Sequence, residues 1–153
     1  IKNGAEDLFI TIEEQKIDRP AWQYQLFASD TVFMADDRYV SLRFSRYEFT
    51  GGAHGMTYYT SVNYDVQRQA ILETEEIIPS RNWPQADKLL LPHFDDRGGC
   101  FHTPPTVAMA SAVNFSDSEV VFSFDPYALG AYVCGSAEVI VPRSEIEELL
   151  SLP

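Results

Sequence analysis

The sequence predicts an α+β fold in which a twisted, mainly antiparallel sheet has a few short helices packed on one side. Three observations lead to this prediction. Residues 38–66 alternate polar and apolar side chains on both sides of a glycine-rich loop, and aromatic residues, which favour strands, make up 13% of the chain. Helical patterns are confined to two short segments, 83–91 and 144–150. With 153 residues, we expect one domain over 1–153.

A long β-hairpin is predicted for residues 38–66. In its second arm every other residue is mainly apolar and the residues between them are mainly polar, which is the two-residue period of a half-buried strand. We therefore expect the apolar set of alternate residues, which includes Tyr58 and Tyr64, to face the core, and we expect Tyr59 to be exposed. In the first arm the apolar residues shift from even-numbered to odd-numbered positions. One extra residue near Ser45 and Arg46, a β-bulge, would keep them on one face and bring Tyr47 into the core as well.

The loop that joins the two arms contains Gly51, Gly52 and Gly55. Glycine tolerates positive φ and close approach of other backbone, so we predict that these residues are required by the structure of the loop. His54, the titratable residue of the loop, has two candidate roles. It could be a ligand, a base or a pH sensor, or its ring could hydrogen-bond to neighbouring backbone and hold the loop closed.

The remaining elements follow from shorter patterns. The S-x-x-E spacing of Ser144 and Glu147 predicts a capping box at the start of the C-terminal helix. A turn is expected at Asp36 and Asp37. Strands or extended segments are predicted at 7–17, 22–27, 120–124 and 137–141.

The charge of the chain limits its partners. Eleven basic and 23 acidic residues give a formal net charge of −12, which repels nucleic acid and anionic membranes and would attract a cationic protein. No run of apolar residues reaches the roughly 18 that a transmembrane helix needs. The chain begins at Ile1 with neither a methionine nor an apolar signal core, so we expect it to be a trimmed or processed piece.

The sequence contains no G-x-S-x-G, H-E-x-x-H or C-x-x-C motif, so we predict no catalytic residue, no metal site and no cofactor. The loop 93–105 carries His93, Asp95, Asp96 and His102, but without a metal-ligand spacing. The two cysteines could pair in an oxidising compartment. The residues alone leave that pairing open.

Two blocks of sequence carry a family resemblance. They comprise the Gly-Gly-Ala-His-Gly loop 51–55 followed by Asn-Tyr-Asp at 63–65, and a later segment with Pro126, Tyr127, Tyr132 and Gly135 before a final strand and helix. Residues 38–150 thereby resemble the C-terminal domain of RsiV, the lysozyme-sensing anti-sigma factor. That domain of unknown function also occurs in PdaC-type peptidoglycan deacetylases and in secreted or lipid-anchored bacterial proteins. Residues 1–37 would supply the N-terminal strands of the same domain.

The resemblance implies a non-catalytic binding or sensing domain outside the cytoplasm, either periplasmic, secreted or lipid-anchored. The candidate ligands are a lysozyme-type muramidase, which is a cationic protein, or cell-wall glycan. The alternative is an accessory domain of a peptidoglycan-modifying enzyme whose catalysis lies in a separate domain. For such a protein we predict a disulfide between Cys100 and Cys134. The candidate ligand-binding residues are His54, Tyr59, Tyr127 and Tyr132.

Overall fold

The computed structural model describes residues 24–152, so the strand predicted at 7–17 lies outside the described residues. These described residues form two antiparallel sheets. The first has the order β1 (Gln25–Ala35), β2 (Tyr39–Phe49), β3 (Met56–Asp65) and β4 (Ala70–Leu72), and the second has the order β5 (Ala112–Phe115), β6 (Glu119–Phe124) and β7 (Ala137–Pro142). The predicted α+β class is confirmed, with the strands divided between two sheets.

The helices are short. They are α1 (Thr74–Ile77), α2 (Trp83–Leu90) and α3 (Arg143–Ile146), with 3₁₀ turns at Ser80–Asn82, Leu91–His93, Val107–Met109, Tyr132–Cys134 and Glu147–Leu149. Helix α2 has Pro in its first turn, where the ring costs no hydrogen bond. None of the helices within residues 24–152 is long and apolar enough to cross a membrane.

The capping box predicted at Ser144 is wrong. Strand β7 leads directly into α3, so Pro142 occupies the N-cap position and Ser144 lies inside the helix. A capping box is found instead at α1, where the Glu76 side chain accepts the backbone N–H of Glu73 at 3.1 Å.

The hairpin β2–β3 forms as predicted, but the β-bulge does not lie where the sequence placed it. Pairing between the two strands runs without interruption from Tyr39–Asp65 to Glu48–Met56. The register shift occurs in β1, between Val32 and Met34. Because the first arm keeps its alternation, its two sets of apolar residues point to opposite faces, and no extra residue is needed to bring them together.

The orientation of the hairpin is the reverse of the predicted one. The face of the hairpin that carries Ser41 and Asn63 points to the second sheet, and these two polar residues are buried. Phe44, on the opposite face, is 45% exposed. Tyr58 and Tyr64 share that outer face and are half-buried. They are therefore not part of the buried core.

Hydrogen bonds explain why the polar face points inward. Within residues 24–152, β5 is an edge strand, and the backbone groups on such an edge require partners when they are buried. The Asn63 side-chain amide donates to the Val113 carbonyl at 2.9 Å, and the Ser41 hydroxyl accepts the Phe115 N–H at 3.1 Å. Ser41 in turn donates to the Asn63 side-chain oxygen at 2.7 Å. The first sheet thus joins the second through polar side chains.

The hydrophobic core lies on the other face of the second sheet. Val113, Phe122 and Val139 are paired across its three strands and are buried. Helices α2 and α3 cover this face, with Leu90 and Ile146 fully buried.

Candidate functional site

Three of the four candidate ligand-binding residues meet at one end of the hairpin. The His54 and Tyr132 rings stack with centroids 3.6 Å apart and an interplanar angle of 14°. The Tyr127 ring centroid lies 5.6 Å from that of Tyr132 and 6.3 Å from that of His54. We call His54, Tyr127 and Tyr132 the aromatic cluster.

The glycine-rich loop brings His54 to this position. Gly51 and Gly52 have φ angles of 90° and 119°, which L residues with a side chain rarely adopt. Gly55 is required for a different reason, because a Cβ atom there would lie 2.4 Å from the Tyr47 ring. The Tyr132 hydroxyl donates to the Gly55 carbonyl at 2.6 Å, which ties the loop to the segment that carries Tyr127 and Tyr132.

The two ring nitrogens of His54 have separate partners. Nδ1 lies 3.3 Å from the Gly55 carbonyl and Nε2 lies 3.3 Å from the Tyr127 hydroxyl. Since a carbonyl only accepts, the Nδ1–H tautomer donates to Gly55 and leaves Nε2 to accept from Tyr127. The His54 ring thus contacts both its own loop and the segment that carries Tyr127, while its side chain remains at an exposed position.

Tyr127 has an unusual backbone conformation. Its φ angle is 75°, in a turn closed by the Ala128 N–H and the Asp125 carbonyl at 3.1 Å. A bulky residue at positive φ costs about 1–3 kcal/mol, and such strain is concentrated at functional sites. The Tyr127 side chain is nevertheless 56% exposed. Burial of the ring therefore does not offset the cost of its conformation.

Tyr59, the fourth candidate, lies outside the aromatic cluster. Its hydroxyl pairs with that of Ser136 at 2.9 Å, and the Arg43 guanidinium lies over its ring at 5.0 Å. Its backbone N–H donates to the Asp125 side chain at 2.9 Å, which connects it to the turn that carries Tyr127. Tyr59 is half-buried and lines a neighbouring cleft.

The cleft has a volume of about 300 Å³ and lies beside the start of β7. Of its seven lining residues the sequence singled out only Tyr59 and Asp95, and it gave no local signal for Arg97, Phe101, Ser136, Ala137 and Glu138. The Arg97 guanidinium donates to the carbonyls of Cys134 and Ser136. These contacts depend on a loop closure that no local sequence pattern reveals.

A disulfide joins Cys100 and Cys134 beside this cleft, with the two sulfur atoms 2.01 Å apart. It links the 95–101 loop to the 3₁₀ turn before β7. The loop residues with metal-ligand chemistry do not converge. His93 pairs with Glu145 at 2.9 Å, and within residues 24–152 no three His, Cys, Asp or Glu side chains are placed to hold a metal ion.

Comparison with known proteins gives a family model and two similar crystal structures. The model described as "Deacetylase PdaC" matches residues 1–57. One structure is a DUF3298 family member from Bacteroides fragilis NCTC 9343, with 18% identity over 95% of this chain and a TM-score of 0.71. The other is a DUF3298 family protein from Pseudomonas aeruginosa PAO1, with 24% identity over 92% of this chain and a TM-score of 0.66.

This chain covers 61% and 68% of the length of those two proteins. No curated protein matches its sequence significantly. The chain therefore has the fold of these DUF3298 structures, and its first 57 residues are similar to the PdaC deacetylase family.

Proposed function

We propose that this protein is a non-catalytic bacterial binding domain that acts outside the cytoplasm and recognises a lysozyme-type muramidase through the aromatic cluster. The observation that carries the proposal is Tyr127, which is held at positive φ with its ring 56% exposed. A rigid exposed tyrosine offers a large contact area and a hydroxyl at low cost in side-chain entropy, and tyrosine is enriched at the centres of protein interfaces. His54 and Tyr132 support the ring from the side.

The charge of the protein favours a basic partner. At a formal net charge of −12, the chain attracts a cationic protein over long distances and accelerates encounter with it. Lysozyme-type muramidases of the basic kind have the complementary charge. The acidic surface would raise the association rate, and the aromatic cluster would make the short-range contacts of the complex.

Two further observations support placement outside the cytoplasm. The Cys100–Cys134 bond is of a kind that persists in oxidising compartments and is rare in the cytosol. The similarity of residues 1–57 to a peptidoglycan deacetylase family agrees with a role at the cell envelope.

That same match favours a second candidate function. The domain would be an accessory part of a peptidoglycan-modifying enzyme and would bind cell-wall glycan, with catalysis in a separate domain. This candidate predicts binding to soluble peptidoglycan fragments without binding to lysozyme. The two candidates therefore differ in a directly measurable way.

The test is surface-binding kinetics with hen lysozyme and with soluble peptidoglycan fragments, using wild type, Tyr127→Gly and Tyr58→Ala. Glycine at position 127 removes the ring and also relieves the backbone strain. We expect Tyr127→Gly to weaken lysozyme binding at least tenfold while the protein becomes more stable by about 1 kcal/mol. Tyr58→Ala removes a tyrosine from the outer face of the first sheet, and we expect it to leave binding unchanged.

Salt provides an independent readout. Because the Debye length is about 10 Å at 0.1 M salt, the association rate should fall between low and physiological ionic strength while the dissociation rate changes less. Absence of lysozyme binding at low salt would overturn the first candidate. Equal effects of Tyr127→Gly and Tyr58→Ala would overturn the assignment of the aromatic cluster.

A further inference from the structure

The cleft beside the aromatic cluster has the composition of a small-ligand site. Its walls come from three separate parts of the chain, namely Tyr59 on β3, Asp95, Arg97 and Phe101 in the loop closed by the disulfide, and Ser136 and Glu138 at β7. A volume of about 300 Å³ is at the lower end for ligand pockets, which suits a ligand of one ring.

The walls of the cleft are held in place by their own contacts. The Arg97 guanidinium donates to the Cys134 and Ser136 carbonyls and stacks over the Phe101 ring at 5.0 Å from its centroid. The Glu138 carboxylate pairs with Arg43 behind the wall. The cleft is therefore preorganised, which reduces the entropic cost of binding.

The charges at the cleft are nearly balanced. Asp95, Glu138 and Arg97 line it with a formal sum of −1, and Arg43, which lies outside the lining and pairs with Glu138, brings the sum to zero. A charged ligand would therefore add a charge that no group of the cleft compensates. The hydroxyls of Tyr59 and Ser136 can each donate or accept, and the carboxylates are strong acceptors.

We propose that this cleft binds one neutral hexopyranose unit. The hydroxyl groups of a sugar ring both donate and accept, which matches a wall of carboxylates, hydroxyls and a guanidinium whose net charge is brought to zero by the Glu138–Arg43 pair. The cleft is separate from the aromatic cluster, and its sugar site goes beyond the proposed recognition of a protein. It does not depend on the first candidate function, and it deepens the second by giving one sugar unit of a glycan a place to bind.

Ligand-observed saturation-transfer NMR on the whole chain tests this proposal. The probes are glucose and N-acetylglucosamine as neutral sugars, glucosamine as the cationic analogue and glucuronate as the anionic one. We expect at least one neutral sugar to bind with a dissociation constant in the millimolar range, about what one ring of this size can reach. Both charged analogues should bind at least fivefold more weakly.

A matched pair of variants locates the site. Asp95 and Asp96 each accept a backbone N–H of the loop at 2.9 Å, from Arg97 and Gly98 respectively, and only Asp95 lines the cleft. Asparagine keeps that acceptor, so both Asp95→Asn and Asp96→Asn should fold. We expect Asp95→Asn to weaken binding of the neutral sugar about fivefold and Asp96→Asn to leave it unchanged.

Three results would overturn the sugar site: no saturation transfer to either neutral sugar, strongest binding of a charged analogue, or equal effects of the two asparagine variants. Failure of this site and failure of the proposed function are distinguishable. Asp95→Asn should leave lysozyme binding intact, whereas Tyr127→Gly should leave the sugar signal intact.

Discussion

The two sheets of this protein differ in what they bury. All four residues of β5 and five of the six residues of β6 are buried, whereas β1 has no buried residue and only Phe33 and Met34 of it are half-buried. The second sheet has the helices on one face and the first sheet against the other. The first sheet has the polar junction with β5 on one side and half-exposed apolar residues on the other. The comparison indicates that the second sheet supplies most of the stability.

The largest effect should come from truncating matched phenylalanines in the two sheets. Phe122→Ala removes a fully buried ring from the core, which costs about 3–5 kcal/mol of unfolding free energy. Phe44→Ala removes a ring that is already 45% exposed, and it should cost about 1 kcal/mol or less. Urea unfolding of both variants measures this. Similar losses would show that the first sheet contributes to the core as much as the second does.

The polar junction should be the next most sensitive region. Asn63→Ala leaves the buried Val113 carbonyl and the Ser41 hydroxyl without the partners they have now, which costs about 1–3 kcal/mol. Ser61→Ala, at a half-buried position of the same strand and face, serves as the control and should change stability by less than about 0.5 kcal/mol. If thermal melts of the two variants coincide, the junction is not held by these hydrogen bonds.

The glycine-rich loop should respond through backbone strain. Gly52 has φ of 119°, and a Cβ atom at this position would have no neighbouring atom within 4 Å, so Gly52→Val tests conformation without a clash. We expect a loss of roughly 1–3 kcal/mol, since a β-branched residue adopts positive φ at high cost. Ala53→Val, at the adjacent exposed position, is the control in calorimetry. An unchanged melting temperature for Gly52→Val would contradict this account of the loop.

The smallest effect concerns the turn between β1 and β2. Hydrogen bonds from the backbone N–H groups of Tyr39 and Arg38 hold the pKa of the exposed Asp36 carboxyl below its ordinary value. Its contribution to stability is therefore present above the pKa of the unfolded chain and is lost as the pH falls through the lower folded value. Below about pH 4, wild type should lose slightly more stability than Asp36→Asn. If the curves of melting temperature against pH are parallel for wild type and Asp36→Asn, Asp36 does not contribute to stability in this way.

The sequence identifies the segments that form the candidate site but not their contact. Loop 51–55 and residues 127–132 stand out by their glycine and tyrosine content, and only the structure shows that His54, Tyr127 and Tyr132 lie together. Tyr59, the fourth candidate, lines the cleft instead. The cleft itself was not predicted, because its residues lie far apart in sequence and meet only when the disulfide loop packs against β3 and β7.

The sequence by itself determined the α+β class, the long hairpin and its glycine-rich loop, because alternation and glycine content act through neighbouring residues. Only the tertiary structure decided which face of the hairpin is buried. Alternation separates two faces but does not specify what each one meets. Here the inward face meets the edge strand β5 of the described residues, whose backbone carbonyl and N–H groups require polar partners. Ser41 and Asn63 are therefore buried, and alternate apolar residues such as Phe44 face outward.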